Sequence, residues 1–581
     1  VSRPARLCAL ALAVACLLAG CVTAPTSGPV REGLPVTGAE VPGLAVRPLA
    51  RPPADGMTPE QIVTGFLDAS AAVGQDETAR EYLTVEASAA WRPGDGITVL
   101  QSDNPALTRS GATVVLEGVQ VGSVSSSGVW SERVPAPIMV PFPLAQVQGQ
   151  WRIAEAPAGL VLSRSTLTRG FQVLPVQYLD PDRSTTVPDP RIVPRTAPQA
   201  LATALVSALL AGPSAWLAPA VVSAFPPGTA LVSGAVPVTE GVAMVDATGM
   251  AADPDEAARG ALAAQLAWTL AGVPGVTAVS LRVDGRDVPL GQGRGPFVLT
   301  EAAAFDPDAL ASDRVLYGIG ADGTAAAVRN GTVEPLRPGQ PDGAAAAVAV
   351  SPVGSRLALA APDRSTVLLG SLGSSTSPLV RIPASVASGP RIDGQRRVWW
   401  VDPGGSLVMA LDPVVAGAPA APVVVPLAVA AADGGSVPGT GAPPGRVVAA
   451  APSRDGSRML LAIIAPSGQT TAWLGVVTEG GQTGTAVLGL RPIAGSAGAA
   501  VAWHDAGQVT TLDPGAPAVL RWNLLGQQVA RFPLPAGPTP LTLADAPGES
   551  PVVGLADATS GRAVGDSIRG LVELREPAFP G

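Results

Sequence analysis

Leu18-Ala19-Gly20-Cys21 is the stretch of this chain whose residue types and spacing specify chemistry most closely. A thiol behind small residues suits diacylglyceryl transfer. The sulfur is the nucleophile, and Ala19 and Gly20 leave the bond before Cys21 open to a peptidase. The freed α-amine of Cys21 can then be acylated as well. Each buried methylene contributes about 0.8 kcal/mol, and two or more acyl chains hold a protein stably at a bilayer. The flanks agree. Arg3 and Arg6 come first, and Leu7 to Leu18 is an unbroken run of Leu, Ala, Val and Cys. That run suits a signal-peptide core and is too short for the roughly 20 residues of a spanning helix. Val1 fits an initiator read from a non-standard start codon. Cleavage would remove Cys8 and Cys16 and leave Cys21 as the only thiol. Neither a disulfide framework nor a cysteine metal site is expected.

The other reactive side chains are weaker candidates. His504 is the only histidine and stands beside Asp505 in Trp503-His504-Asp505-Ala506-Gly507. A related stretch, Trp400-Val401-Asp402-Pro403-Gly404, has Val401 in its place, so the Asp reads as structural and the His as a local substitution. One histidine allows neither a second Ser-His-Asp set nor a His-rich zinc site. Asp402 and Asp505 could still do acid/base work on a glycan without histidine. Gly318-Ile319-Gly320-Ala321-Asp322-Gly323 has GxGxxG spacing, but turn signals at Asp322-Gly323 and Asn330-Gly331 make it a hairpin rather than a dinucleotide loop. Asp180, Asp182 and Asp189 do not fit an EF-hand, because Pro181 and the spacing break it, and a solvated loop is expected. Trp399, Trp400 and Trp503 are expected to pack between repeats, with a glycan contact as the sharper alternative. No catalytic residue, metal or cofactor is expected; the one chemical site is lipidation at Cys21.

Composition narrows the class. The chain has 581 residues and a net charge of −9, all 37 basic residues being Arg. No basic run is present, so nucleic acid is not an expected partner. No segment after the leader reaches 18 apolar residues without Gly, Pro or charge. Residues 21–56 carry Pro25, Pro29, Pro35, Pro42, Pro48, Pro52 and Pro53 among repeated Gly. Such a tether is semi-extended at about 3.1 Å per residue, a reach of roughly 100 Å.

Beyond the tether the pattern predicts a multidomain chain: two α+β domains followed by an all-β propeller. The first, over 57–175, opens with the capping box Thr58-Pro59-Glu60-Gln61. Ile62, Phe66, Ala69 and Val73 repeat at helical spacing. A second helix is expected over 77–90, then strands at Gly96–Leu100, 112–121, 134–140 and 151–155. The second domain, over 176–300, follows a strand that starts near Phe171. Thr196-Ala197-Pro198-Gln199 reads as another capping box, and Gly212-Pro213-Ser214 ends that helix. Strands are expected over 230–238, 242–246 and 275–283, with a helix capped by Asp253-Pro254-Asp255-Glu256 and reaching Leu270 between the last two. The region 301–581 repeats itself. Ala349–Ala360 recurs as Ala451–Ala462 at an offset of 102, and the two Trp-x-Asp stretches recur at 103. Two propeller blades of about 50 residues give that period, and five or six blades fit. Pro413–Gly445 reads as a surface insertion.

Four stretches together resemble the LpqB lipoproteins of actinobacteria: Leu18–Cys21, Gly56–Ser70, Leu209-Leu210-Ala211-Gly212-Pro213-Ser214, and Glu576–Gly581. The middle unit is similar to a GerMN domain, with Phe225-Pro226-Pro227-Gly228-Thr229 and Val245-Asp246 following the helix end. The resemblance implies a lipoprotein on the extracytoplasmic face of the cell membrane, not an enzyme. It implies a partner, the ectodomain of the sensor kinase MtrB, whose MtrA/MtrB system acts in envelope and division control. The family lends no catalytic residues, so only Cys21 carries over. The alternative is an envelope glycan-binding protein or surface hydrolase working through the propeller.

Overall fold

The chain enters its first domain through the expected box. Gln61 N–H donates to Thr58 Oγ1 at 3.3 Å, Thr58 N–H donates to Gln61 Oε1 at 2.8 Å, and Pro59 fills N1. They open α1 (Pro59–Ala71), whose Ile62, Phe66 and Ala69 turn inward. Phe66 meets Trp91 and Phe142 edge-on. The computed structural model describes residues 50–293, 295–309, 315–336, 344–373, 379–412, 421–429, 443–479, 484–494, 497–513, 515–537, 539–564 and 567–581. Cys21 and its tether up to residue 49 lie outside the described residues.

The single helix expected over 77–90 is two, α2 (Asp76–Arg80) and α3 (Val85–Ala90). Between them Leu83 bridges to Ile153, and Thr84 N–H donates to Ile153 O at 2.9 Å. Thr84 then caps α3 through its Oγ1, so the break is fixed by sheet pairing and a new N-cap. The sheet comprises β1 (Gly96–Leu100), β2 (Ala106–Ser110), β3 (Thr113–Ser125), β4 (Trp130–Val147), β5 (Gln150–Ile153) and β6 (Leu160–Ser163). Its order is β5-β4-β3-β1-β6, with β2 also on β3. A short α4 (Arg164–Gly170) leads out.

Next come β7 (Phe171–Leu179) and β8 (Thr186–Pro194), a hairpin paired in register from Phe171–Pro194 to Leu179–Thr186. The sequence suggested only its first strand. In α5 (Pro198–Leu210) the N-cap is Ala197, and no side chain caps it, so Thr196 does not form the expected box. Pro198 at N1 starts the helix instead. The expected strand over 230–238 reduces to β9 (Ala230–Leu231) and β10 (Val238–Thr239), with Gly234 at φ +67 in between. β11 (Val242–Thr248) crosses through α6 (Glu256–Leu270) to the parallel β12 (Ala278–Val283), and β13 (Arg286–Val288) and β14 (Phe297–Val298) finish the sheet. Asp255 Oδ1 accepts from Ala258 N–H at 2.8 Å and caps α6.

The remaining strands form six sheets among the described residues, five of four antiparallel strands and one of four with a fifth, parallel strand added, which makes a six-bladed propeller. The innermost strands around the ring are Leu574–Ala578, Ala347–Val350, Ser388–Ile392, Arg446–Pro452, Val501–Asp505 and Pro540–Ala544, in blades I to VI. Blade I closes the ring by pairing Leu574–Ala578 with Leu316–Gly320, so strands from the two ends of this region share one sheet. Gly318 sits under Leu574 there, where an added Cβ would meet the Leu574 side chain at 2.5 Å. Within the stretch 413–445, Val423–Val424 is the outer strand of blade III and Leu427–Val429 adds a parallel strand to blade IV. That part is sheet edge rather than plain insertion; 413–420 and 430–442 lie outside the described residues.

The 102-residue repeat is real blade geometry. Ala349–Ala360 and Ala451–Ala462 both lie in the first two strands of their blades, II and IV. The second match is not equivalent. Trp400 lies in the second strand of blade III and Trp503 in the first strand of blade V. Trp-x-Asp marks a buried strand running into a turn, and a propeller has such places at both ends of every blade.

Candidate functional site

The innermost strands run the same way around the central channel, so the loops after them gather at one mouth. Asp393, Arg454, Asp455, Asp505 and Asp545 all lie there, and Asp308 arrives from the segment that enters blade I. Asp308 Oδ1 accepts from Ala506 N–H at 2.7 Å and lies 3.9 Å from Arg454 Nη1. Burial, with Asp505 nearby, raises the Asp308 carboxyl to about 6. Burial also lowers the Arg454 guanidinium, against the pull of Asp308, Asp505, Asp545 and Asp455.

His504 is buried at this mouth. Its Nδ1 lies 3.0 Å from Asp545 Oδ1 and its Nε2 is 3.9 Å from Asp505 Oδ2. Asp545 is fully engaged: Thr510 Oγ1 donates to it at 2.6 Å, Arg521 Nη2 at 3.0 Å and Ala546 N–H at 2.9 Å. The imidazole thus belongs to a closed network that ties blade V to blade VI. Asp505 caps its own turn, accepting from Gly507 N–H at 2.8 Å. Asp402 does the same for Ser406 at 2.8 Å, but it follows a second strand where Asp505 follows a first. The two carboxylates therefore sit at opposite ends of their blades. Paired glycosidase carboxyls need a separation of about 5–9.5 Å, so these two do not form such a pair.

Arg356, Arg397 and Arg458 each open the second strand of blades II, III and IV, and each reaches the next blade. Arg356 makes a two-pronged bond to Asp412 at 2.6 and 2.8 Å. Arg397 bonds Gly456 O and Glu479, the latter at 2.8 Å, and Arg458 bonds Ala506 O at 2.8 Å. Arg397 and Arg458 also stack on Trp399 and Trp503. Trp399, Trp400 and Trp503 are all buried, as expected of packing residues. Gly318–Gly323 is the expected hairpin, between Leu316–Gly320 and Ala325–Arg329.

The aspartates read as a solvated loop are placed differently. Asp180 and Asp189 are buried and only Asp182 is exposed. Asp180 folds the β7–β8 turn, accepting from the N–H of Ser184 and Thr185. Asp189 pairs with Arg191 at 2.8 Å and accepts from Ser214 N–H at 2.6 Å. Asp-Pro spacing reads as a turn in sequence, and only the β7–β8 pairing shows which carboxylates turn inward. Among the described residues no group of three or more His, Cys, Asp or Glu could hold a metal.

The hairpin also links the domains. Thr186 Oγ1 donates to Phe305 O at 3.0 Å, and Gly128 O accepts from Ile192 N–H at 2.8 Å. Trp216, just past α5, donates from Nε1 to Gly489 O in blade IV at 2.8 Å and lies under Arg491 at 4.1 Å.

Fold and site thus define a multidomain scaffold: two α+β units joined to a six-bladed propeller. Residues 52–168 match the family described as "Lipoprotein LpqB, N-terminal domain", and 175–289 the one described as "Sporulation and spore germination". Lipoprotein LpqB of Thermobifida fusca is 34% identical over 298 residues, 48% of this chain and 47% of that protein. Lipoprotein LpqB of Streptomyces coelicolor is 33% identical over 347 residues, 53% and 54%. That of Mycobacterium bovis is 29% identical over 427 residues, 68% and 64%. Over its N-terminal domain and about half of its length, the chain is similar to the LpqB lipoproteins. It spans about half the length of the first curated relatives it matches. Among solved structures, a chain of a nidogen/laminin complex aligns at a TM-score of 0.32 and 12% identity, covering 46% of this chain and 98% of that one. The β-propeller domain of Myceliophthora Cps50 (Swd1) aligns at 0.28 and 12%, covering 42% and 91%. No described helix is long and apolar enough to cross a membrane.

Proposed function

We propose that this protein is a lipid-anchored accessory factor on the extracytoplasmic face of the cell membrane. It is held there through diacylglyceryl and acyl chains on Cys21, and it binds the ectodomain of the sensor kinase MtrB to modulate MtrA/MtrB signalling. The observation that carries the reading is the order of parts: a lipobox, an LpqB N-terminal domain and a Germane domain in one chain. The commitment of His504 and Asp545 to a network between blades favours a binding scaffold over a hydrolase. So does the separation of Asp402 from Asp505. Two experiments test the reading. Mass spectrometry of the membrane-extracted protein should find acyl chains on Cys21, and Cys21→Ala should release the protein from the membrane. The full chain should bind immobilised kinase ectodomain with a Kd in the micromolar range or tighter. No binding up to roughly 100 µM, with both partners folded, would sink the adaptor reading.

A further inference from the structure

We propose that the central channel of the propeller is a binding site for a small carboxylate, received by Arg391. Arg391 stands on the innermost strand of blade III and lines a cavity with Pro452, Trp503, Asp545 and Ala578, which come from the innermost strands or mouth loops of four other blades. The cavity has about 30 Å³ of free space. One water-sized sphere takes about 10–15 Å³, so there is room for a carboxylate and little more.

The charge balance of the channel leaves Arg391 in need of a partner. Its Nη1 donates to Pro390 O at 3.0 Å, and no carboxylate lies within ion-pair distance among the described residues. Arginines near the channel have their own acids: Arg397 has Asp393, Arg458 has Asp455 and Arg521 has Asp545. Asp545, on the same cavity wall, is already saturated by Thr510, Arg521, Ala546 and His504. Glu576 is the acid whose charge reaches Arg391, yet it turns outward to Arg364 at 3.9 Å and keeps 38% of its side chain exposed. Arg454 Nε, a buried donor without a partner, borders Gly581, which lines the cavity. A guanidinium does not give up its proton in a protein, so Arg391, half-buried in this cavity, offers a permanent cation to an anion that enters it. Its planar fork matches a carboxylate, and Trp503, Val501, Leu543 and Phe579 line the cavity beside it.

The carboxylate can be a free small acid or the end of a peptide, and the test separates them. Calorimetric titration of the full chain with sodium formate and sodium acetate should show saturable binding to one site. Arg391→Gln should weaken that binding about tenfold or more, the loss of one charge-assisted bond. Ala451→Val narrows the cavity without touching a charge and should cause a similar loss, so the test stands if only one variant folds. Circular dichroism and melting confirm which variants fold. The proposal is overturned if the wild type shows no saturable binding, or if a folded variant binds as the wild type does. Acetyl-triglycine and its C-terminal amide form the second arm. Tighter binding of the acid than of acetate, with none of the amide, assigns the site to a peptide end. Acetate binding as well as or better than the peptide assigns it to a free acid.

Discussion

At the scale of single residues, buried charge governs the molecule. Asp189 and Arg191 are both enclosed and 2.8 Å apart, and Asp189 also takes two bonds from Ser214. Removing one partner strands the other, which typically costs about 3–5 kcal/mol, whereas replacing both by apolar groups is far milder. Asp189→Ala should therefore destabilise the second α+β unit by about that much in urea unfolding, and Asp189→Ala with Arg191→Leu should recover most of it. Asp308 makes the opposite kind of contribution. Its folded pKa of about 6 is above the ordinary 3.8, so the folded state holds a proton that the unfolded state has lost between those values. The cost of ionising it is absent below about pH 4, grows as pH rises through this window, and is constant above about 6. Two units correspond to at most about 3 kcal/mol, reduced because 30% of the side chain stays exposed. Asp308→Asn keeps an acceptor for Ala506 N–H. Its melting temperature relative to wild type should be higher at pH 7, and the gap should close toward pH 4. A constant gap would disprove the assignment.

At the scale of elements, β4 shows how the chain manages an open edge. From Thr113–Pro143 to Val119–Pro137, β4 is paired on one side by β3, while β5 covers only 144–147. Alternate positions face outward, and of 137, 139, 141 and 143, three are proline. Only Met139, itself exposed, keeps an outward N–H. Proline at such positions spares the inner ladder and denies a second strand its donors. Pro137→Val with Pro141→Thr should leave the fold intact and produce concentration-dependent association, measurable by light scattering; a variant that stays monomeric would show that the prolines do not guard this edge. Much at this scale was legible in sequence. Thr58-Pro59-Glu60-Gln61 announced α1, Gly212-Pro213 ended α5, and the offset of 102 gave the blade pitch. The failures have two causes. The break at Leu83 and the role of Asp308 are set by partners 70 or more residues away, Ile153 and Ala506, which no local pattern reports. Asp180 and Asp189 are held by nearer groups, Ser184, Thr185, Arg191 and Ser214, and what hid them was the unrecognised β7–β8 pairing that turns both carboxylates inward. The Trp400–Trp503 match misled because a strand-to-turn motif says nothing about which strand of a blade carries it.

At the scale of the whole molecule, the question is how firmly the α+β units are joined to the propeller. Trp216 is the main side chain at one joint. It leaves the second unit, packs partly buried against the cores of both that unit and blades IV and V, and bonds Gly489 O. Arg491 covers it, and burial lowers that guanidinium to about 10. A cation this enclosed is attracted to the ring face more strongly than an exposed one, by about 2 kcal/mol or more. Gly489 is required for the approach: its φ is +61, and an added Cβ would meet Trp216 Cδ1 at 2.9 Å. The blade thus surrenders a side chain so that its backbone can receive the indole. Trp216→Ala should cost about 3–5 kcal/mol at this joint by loss of the aromatic, without touching the innermost strands of the propeller. In calorimetry, melting of the second unit should then separate from that of the propeller, and limited proteolysis should cut between residues 290 and 310 faster than in wild type. Gly489→Ala, from the other side, should produce the same pattern more weakly. A single unshifted transition in Trp216→Ala would mean that the β7–β8 hairpin and its hold on Phe305 carry the joint instead.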